Sequence, residues 1–228
     1  MTIQECISDF LIDQQVKGNS MVTVLDYSRF LSYFERFQSA KSQNMASVTV
    51  SDCRAYYLYL SSKNVTSVTV QTYIRALRAF LSWCYDEGHI SEDISARFKL
   101  PKAKRSAIDV LTDAEIVRLF DCLKGRDFLS TRNYCIVALM LGSGLRLNEV
   151  VTLRSDKIHI AEGYIIVNGK GNKERFVPVG LTCRKALLKY CAHLPKREPE
   201  TPLFVKDDLT PIKQNTVKQM FRKLKVSA

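Results

Sequence analysis

Two basic side chains 24 residues apart, Arg146 and Lys170, have the type and setting to act on an anion. Val137 to Leu141 is an unbroken apolar run, so the Ser143-Gly144 break after it delivers Arg146 from a core; a buried helical setting is expected. A charge there needs a partner. Glu149, three residues on, shares a helical face with Arg146 and can orient the guanidinium while leaving part of its donor fork for an incoming anion. Lys170 stands in the polar stretch Asn168-Gly169-Lys170-Gly171-Asn172-Lys173-Glu174, between two β-rich runs, Tyr164 to Val167 and Arg175 to Val179. That pattern reads as a hairpin whose long tip carries Lys170 and Lys173. On the residues alone the plain alternatives stay open: a buried ion pair of Arg146 with Glu149, and a solvated turn for Lys170.

The elements that must position this pair are mainly helical. Thr2 and Glu5 form a capping-box pattern ahead of Ile3, Ile7, Phe10 and Leu11, and Val24 to Phe37 continues the helical period. Ser51 is the expected N-cap of a helix over Asp52 to Leu60, and Ser67 that of a longer helix reaching about Tyr85. In the longer helix Val70, Ile74, Leu77, Leu81 and Cys84 make an apolar stripe, while Thr72, Arg75, Arg78 and Ser82 fall on the other side. A solvated surface is the bland account of that second face. From Gly88 the period dissolves, and Leu100-Pro101-Lys102-Ala103-Lys104-Arg105-Ser106 is a proline-marked basic linker. Thr112 to Glu115 is another capping box, opening a helix whose Ile116, Leu119, Phe120 and Leu123 face inward. After the arginine turn and the hairpin, Leu181 to His193 and Asn215 to Lys225 read as amphipathic helices.

Composition narrows the class of partner. The 228 residues suffice for two modest cores, and 34 Lys+Arg against 23 Asp+Glu leave a formal charge of +11. Such a balance favours a polyanion, nucleic acid first and an anionic membrane surface second. No apolar run approaches the length of a membrane span, and the first residues lack a basic leader before an apolar core, so a cytoplasmic protein is expected. Seven cysteines without a CxxC pair fit reduced, mostly buried thiols, and three scattered histidines have no metal-ligand spacing; no metal or other cofactor is expected.

The strings Gly144-Leu145-Arg146-Leu147-Asn148-Glu149-Val150 and Gly169-Lys170-Gly171-Asn172-Lys173-Glu174-Arg175, followed by Val177-Pro178, resemble the first half of the catalytic domain of tyrosine recombinases, the phage integrase and Xer-type family. Either string alone is weak; both in this order make a strong signal. The resemblance implies a mainly α fold with a small antiparallel β-sheet. A helical, SAM-like core-binding domain would occupy residues 1–99, a basic linker 100–109 and the first part of the catalytic domain 110–228. It implies a bacterial or phage protein that binds a duplex DNA recombination site, the parent enzyme cleaving and rejoining DNA through a 3′-phosphotyrosine intermediate without metal and working as a tetramer on DNA. Arg146 would hold two non-bridging phosphate oxygens, supported by Glu149, and Lys170 would protonate the 5′-oxygen leaving group. Lys173 and Arg175 would meet flanking phosphates. Thr72, Arg75 and Arg78 match the Thr-x-x-Arg pattern with which the family's helical domain grips DNA, and Lys102, Lys104 and Arg105 lie where its linker crosses the backbone. Xer-type chains usually have Asn-Pro where Asp93-Ile94 stands here, which blurs the entry into the linker.

The family completes its site with a His-x-x-Arg pair, a further His or Trp, and the tyrosine nucleophile. No His-x-x-Arg occurs in this sequence, and its last tyrosine, Tyr190, falls in an amphipathic segment that suits packing. The expectation is therefore a recombinase truncated before its second motif box, monomeric and inactive by itself. Two other readings stand beside it: a naturally short, non-catalytic DNA-binding regulator of recombination sites, and a basic helical scaffold with no nucleic-acid role.

Overall fold

The computed structural model describes residues 1–103, 107, 109–169, 173–196 and 198–227. It divides into two compact units, Met1–Ile108 and Asp109–Ala228. The first unit contains α1 (Ile3–Val16), α2 (Met21–Ser39), a short 3-10 turn (Met45–Ser47), α3 (Val50–Ser61), α4 (Ser67–Asp86) and the one-turn α5 (Ile94–Arg97). The capping box of α1 forms as its sequence predicts, Thr2 N–H donating to Glu5 at 2.8 Å.

Two caps move. The cap of α3 is Thr49 rather than Ser51, because Asp52 reaches back three residues to accept from Thr49 N–H at 2.8 Å, whereas the residue three beyond Ser51 is Arg54, which has no acceptor to offer. The cap of α4 is Thr66 rather than Ser67, its hydroxyl accepting from Thr69 N–H at 3.2 Å.

All five stripe residues of α4, Val70, Ile74, Leu77, Leu81 and Cys84, are buried and meet Phe10, Leu31, Phe34 and Tyr56 in one core. Phe10 lies edge-on to Tyr27, Phe80 and Trp83 at 5.1, 5.6 and 5.6 Å. Side chains of this size contribute about 1.5–3 kcal/mol each by burial, and the ring geometry adds about 0.5–1.5 kcal/mol per pair.

The second unit is built on α7 (Phe128–Gly142), which packs along α9 (Leu181–Cys191). Gly142 permits their close approach, since a Cβ there would stand 2.7 Å from Cys183 Sγ. Before α7 comes α6 (Asp113–Asp121), capped by Thr112 and Glu115. Its inward residues Ile116, Leu119 and Phe120 are only half-buried, and Leu123 just beyond it is buried. After α7 follow α8 (Leu147–Thr152), β1 (Ile158–His159), β2 (Tyr164–Asn168) and β3 (Glu174–Pro178), an antiparallel sheet in that order. The predicted hairpin is β2–β3, with Ile165 opposite Val177 and Val167 opposite Arg175; β1 is an element the sequence did not announce. Ile165, Val167 and Val177 face the core, while Phe176 stays exposed. The last helix is α10 (Gln214–Ser227). Before α10 an irregular strap, residues 198–213, runs past the exit of α8, with Leu203 N–H donating to Leu153 C=O at 2.7 Å and Ser155 N–H to Thr201 C=O at 3.1 Å.

Candidate active site

Arg146 is the N-cap of α8, in extended backbone. Gly144 before it has φ +64°, a left-handed conformation that L side chains rarely adopt, and this reversal turns Leu145 into the core and Arg146 outward. The buried setting expected for Arg146 is therefore corrected: its side chain is 74% exposed, and the buried member of the pair is Glu149 at 4%. Burial along the apolar run fades after Leu139, and Leu141 is already exposed.

Glu149 is the hub of the site. Its carboxylate accepts from Arg146 N–H at 2.9 Å and Arg146 Nη1 at 3.0 Å, and from Arg175 Nη1 and Nη2 at 2.7 and 2.9 Å. The bidentate Arg175 pair first, then the two bonds from Arg146, hold its pKa down at about 2 against the desolvation that burial imposes. One carboxylate thus ties the start of α8 to β3, the strand that leaves the hairpin tip. Among the described residues Arg146 Nε and Nη2 make no hydrogen bond, so an outward-facing donor pair is held ready for an anion. Asn148, on the same first turn, accepts from Gln214 of α10 at 2.9 Å.

The hairpin is pinned at its tip by Gly169 N–H donating to Lys173 C=O at 2.8 Å, and just beside the tip by Lys157 Nζ donating to Glu174 at 2.8 Å. Lys173 is exposed. Lys170 itself lies outside the described residues, as do Lys104 and Arg105 of the linker. Arg175, expected at a flanking phosphate, uses two of its donors on Glu149 and keeps a side chain 38% exposed.

In the first unit the three candidates differ. Arg75 is exposed and donates to Gln71 Oε1 at 2.8 Å, while Gln71 Nε2 donates to Pro101 C=O at 2.8 Å, tethering the start of the linker beside the exposed Lys102. Thr72 hydroxyl bonds Val68 C=O within its own helix at 3.0 Å. Arg78 is half-buried, its Nε and Nη2 both on Ser95 C=O at 3.1 and 3.0 Å, so it braces α5 as well as facing outward. Sequence reasoning passed over α2, where Arg29 covers the Phe30 ring at 4.8 Å and Arg36 the Tyr33 ring at 4.6 Å. Tyr73 of α4 touches both rings, at 4.7 and 5.3 Å, which places these exposed cations beside the α4 face. Two arginines seven residues apart among aromatics were the available signal.

Among the described residues no group of histidine, cysteine and carboxylate side chains is arranged to hold a metal ion, and no helix is long and apolar enough to cross a membrane. Five of the seven cysteines are buried.

Comparison with known proteins follows the same two units. Residues 109–228 match the phage integrase family, and residues 6–100 match the phage integrase SAM-like domain. Tyrosine recombinase XerD of Oceanobacillus iheyensis is 28% identical over 211 residues, covering 89% of this chain and 71% of that protein. XerD of Halalkalibacterium halodurans is 28% identical, covering 98% and 77%. Among solved structures, the Tn1549 transposon integrase in complex with circular intermediate DNA superposes with a TM-score of 0.78 at 20% identity, over 98% of this chain and 77% of that one. A lambda integrase tetramer bound to a Holliday junction gives 0.78 at 15% identity, over 100% and 66%. At these identities the structural likeness shows a shared fold. The family matches rest on both units and on the segment that carries Arg146, Glu149 and Arg175, and the chain belongs to the phage integrase family of tyrosine recombinases.

Proposed function

We propose that this chain binds duplex DNA at a recombination site and supplies the charge-stabilising half of a strand cleavage and rejoining centre. The observation that carries the reading is the exposed Arg146 guanidinium, fixed by the buried Glu149 that also grips Arg175 near the tip of the Lys170 hairpin. A planar fork anchored on one edge presents its other edge to two non-bridging oxygens of a phosphodiester, and a cation already in place stabilises the charge of the transition state without reorganising. In this scheme a tyrosine oxygen bonds to phosphorus as the bond to the 5′-oxygen breaks, and Lys170 delivers the proton that the leaving oxygen takes. The sequence contains no His-x-x-Arg pair, and its last tyrosine, Tyr190, is buried with its hydroxyl bonded to Leu203 and Val205. A tyrosine nucleophile and that pair are what the scheme still requires, and we infer that the complete centre works as a tetramer on DNA.

The helical unit acts as the clamp. Arg75, Thr72 and the outward part of Arg78 on α4, together with Arg29 and Arg36 on α2, neutralise backbone phosphates. Lys102, Lys104 and Arg105 do so along the linker, with Lys173 and the remaining donors of Arg175 beside the active centre. A filter-binding titration of the chain on duplex DNA across salt concentrations tests this. Tight binding with a steep negative dependence of log K on log salt is expected, weakened by Arg146→Ala. Failure to retain duplex at low salt would overturn the reading.

A further inference from the structure

Arg132 is a charged residue in the second turn of α7 that the cleavage scheme leaves unused. It is 7% exposed, and among the described residues it forms no ion pair. Its Nη1 donates to Val205 C=O at 2.9 Å, and its Nε and Nη2 to Asn133 Oδ1 at 3.2 and 3.0 Å. Val205 belongs to the strap between α9 and α10, which belongs to no sheet and yet is buried at Leu203, Phe204 and Val205. Buried backbone groups outside a ladder need partners of another kind. Tyr190 of α9 supplies two, its hydroxyl donating to Leu203 C=O at 3.2 Å and accepting from Val205 N–H at 3.1 Å, with its ring stacked on Phe204 at 5.3 Å. Arg132 supplies the third.

The strap so held meets the exit of the Arg146 helix and runs into the helix that meets its start. Leu203 N–H meets Leu153 C=O just past the C-terminus of α8, and Ile212 N–H meets Phe204 C=O at 3.1 Å, leading directly into α10, whose Gln214 bonds Asn148 on the first turn of α8. One end of the six-residue α8 is therefore bonded to the strap and the other to α10, into which the strap runs, and a helix so short has little rigidity of its own.

We propose that Arg132 is a positioning residue for Arg146, fixing through the 203–205 strap the pose of α8 on which the phosphate-binding guanidinium is presented. The inference rests on the proposed phosphate role of Arg146. Without Arg132 the Val205 carbonyl is buried without its donor, the strap relaxes toward solvent, and α8 loses the register that aligns Arg146 with Glu149.

The test is a double-mutant cycle read by duplex affinity, with amide hydrogen exchange at Arg146, whose N–H donates to Glu149, as a second readout. Arg132→Met is expected to weaken duplex binding about fivefold in the native background and less than twofold in the Arg146→Ala background. Exchange at Arg146 should accelerate more than at Val70 or Ile74 in the other unit, and Arg132→Lys, which restores one donor, should recover part of both effects. Equal losses in the two backgrounds, or exchange raised uniformly, would make Arg132 an ordinary stabilising residue and overturn the proposal. Should Arg132→Met fail to fold, Tyr190→Phe, which removes the other bonds to the strap and keeps the ring, is put through the same cycle with the same expectations. If Arg146→Ala by itself leaves affinity unchanged, the phosphate role fails; a slow, unaccelerated amide at Arg146 in Arg132→Met would instead sink the positioning claim alone.

Discussion

Replacing Glu149 by Gln should destabilise the second unit in a pH-dependent manner, because the substitution keeps the shape and removes the charge that two guanidiniums share. The carboxyl titrates at about 2 in the fold against an ordinary 4.5, a depression equivalent to roughly 3 kcal/mol of stability at neutral pH. That contribution is fully present above about pH 4.5 and is lost as pH falls through the folded value near 2. Gln retains one acceptor but turns an NH2 toward Arg175, while Arg146 and Arg175, at 74% and 38% exposure, recover hydration once released. The net loss at pH 7 is therefore about 2 kcal/mol, which for a unit of this size lowers its unfolding temperature by roughly 6–10 °C. Differential scanning calorimetry of both proteins from pH 7 to pH 2 measures it. Trp83, the single tryptophan, lies in the other unit, so its fluorescence transition reports that unit and should stay put. The gap between the two proteins should narrow toward zero at pH 2, where the native carboxylate also protonates. A gap independent of pH, or no gap at pH 7, would refute the four-bond account of Glu149.

Other outcomes follow from single features. Arg75→Ala should reduce the salt slope of duplex binding by about one contact with little change in unfolding temperature, whereas Arg78→Ala should also lower that temperature, because Ser95 C=O loses both of its donors; identical behaviour of the two variants would refute the distinction. Gly144→Ala meets no steric obstacle within 4 Å, so it should cost only the left-handed backbone penalty, about 1–2 kcal/mol by urea denaturation; a neutral result would mean the turn readily rebuilds. On a nicked suicide duplex the 228-residue chain should form no covalent adduct in a denaturing gel, and an adduct mapped to Tyr190, which is 0% exposed here, would overturn the assignment of half a site.

Most of the helices, the hairpin and the candidate residues for phosphate chemistry were legible in the chain itself, because they rest on local rules. The stripe of α4, the Thr2 and Thr112 capping boxes and the β2–β3 hairpin follow from spacing within a few residues, and the Arg146 and Lys170 strings carried the family. What tertiary structure alone decided is which partner each charge takes. Arg146 stands exposed because a positive φ at Gly144 reverses the chain, and an apolar run upstream cannot reveal a reversal. Arg175 is the bidentate partner of Glu149 across 26 residues, and Arg132 meets a carbonyl across 73. Hydrogen bonds across such separations depend on the packing of α7, α9 and the sheet into one core, and burial of that kind has no period along the sequence.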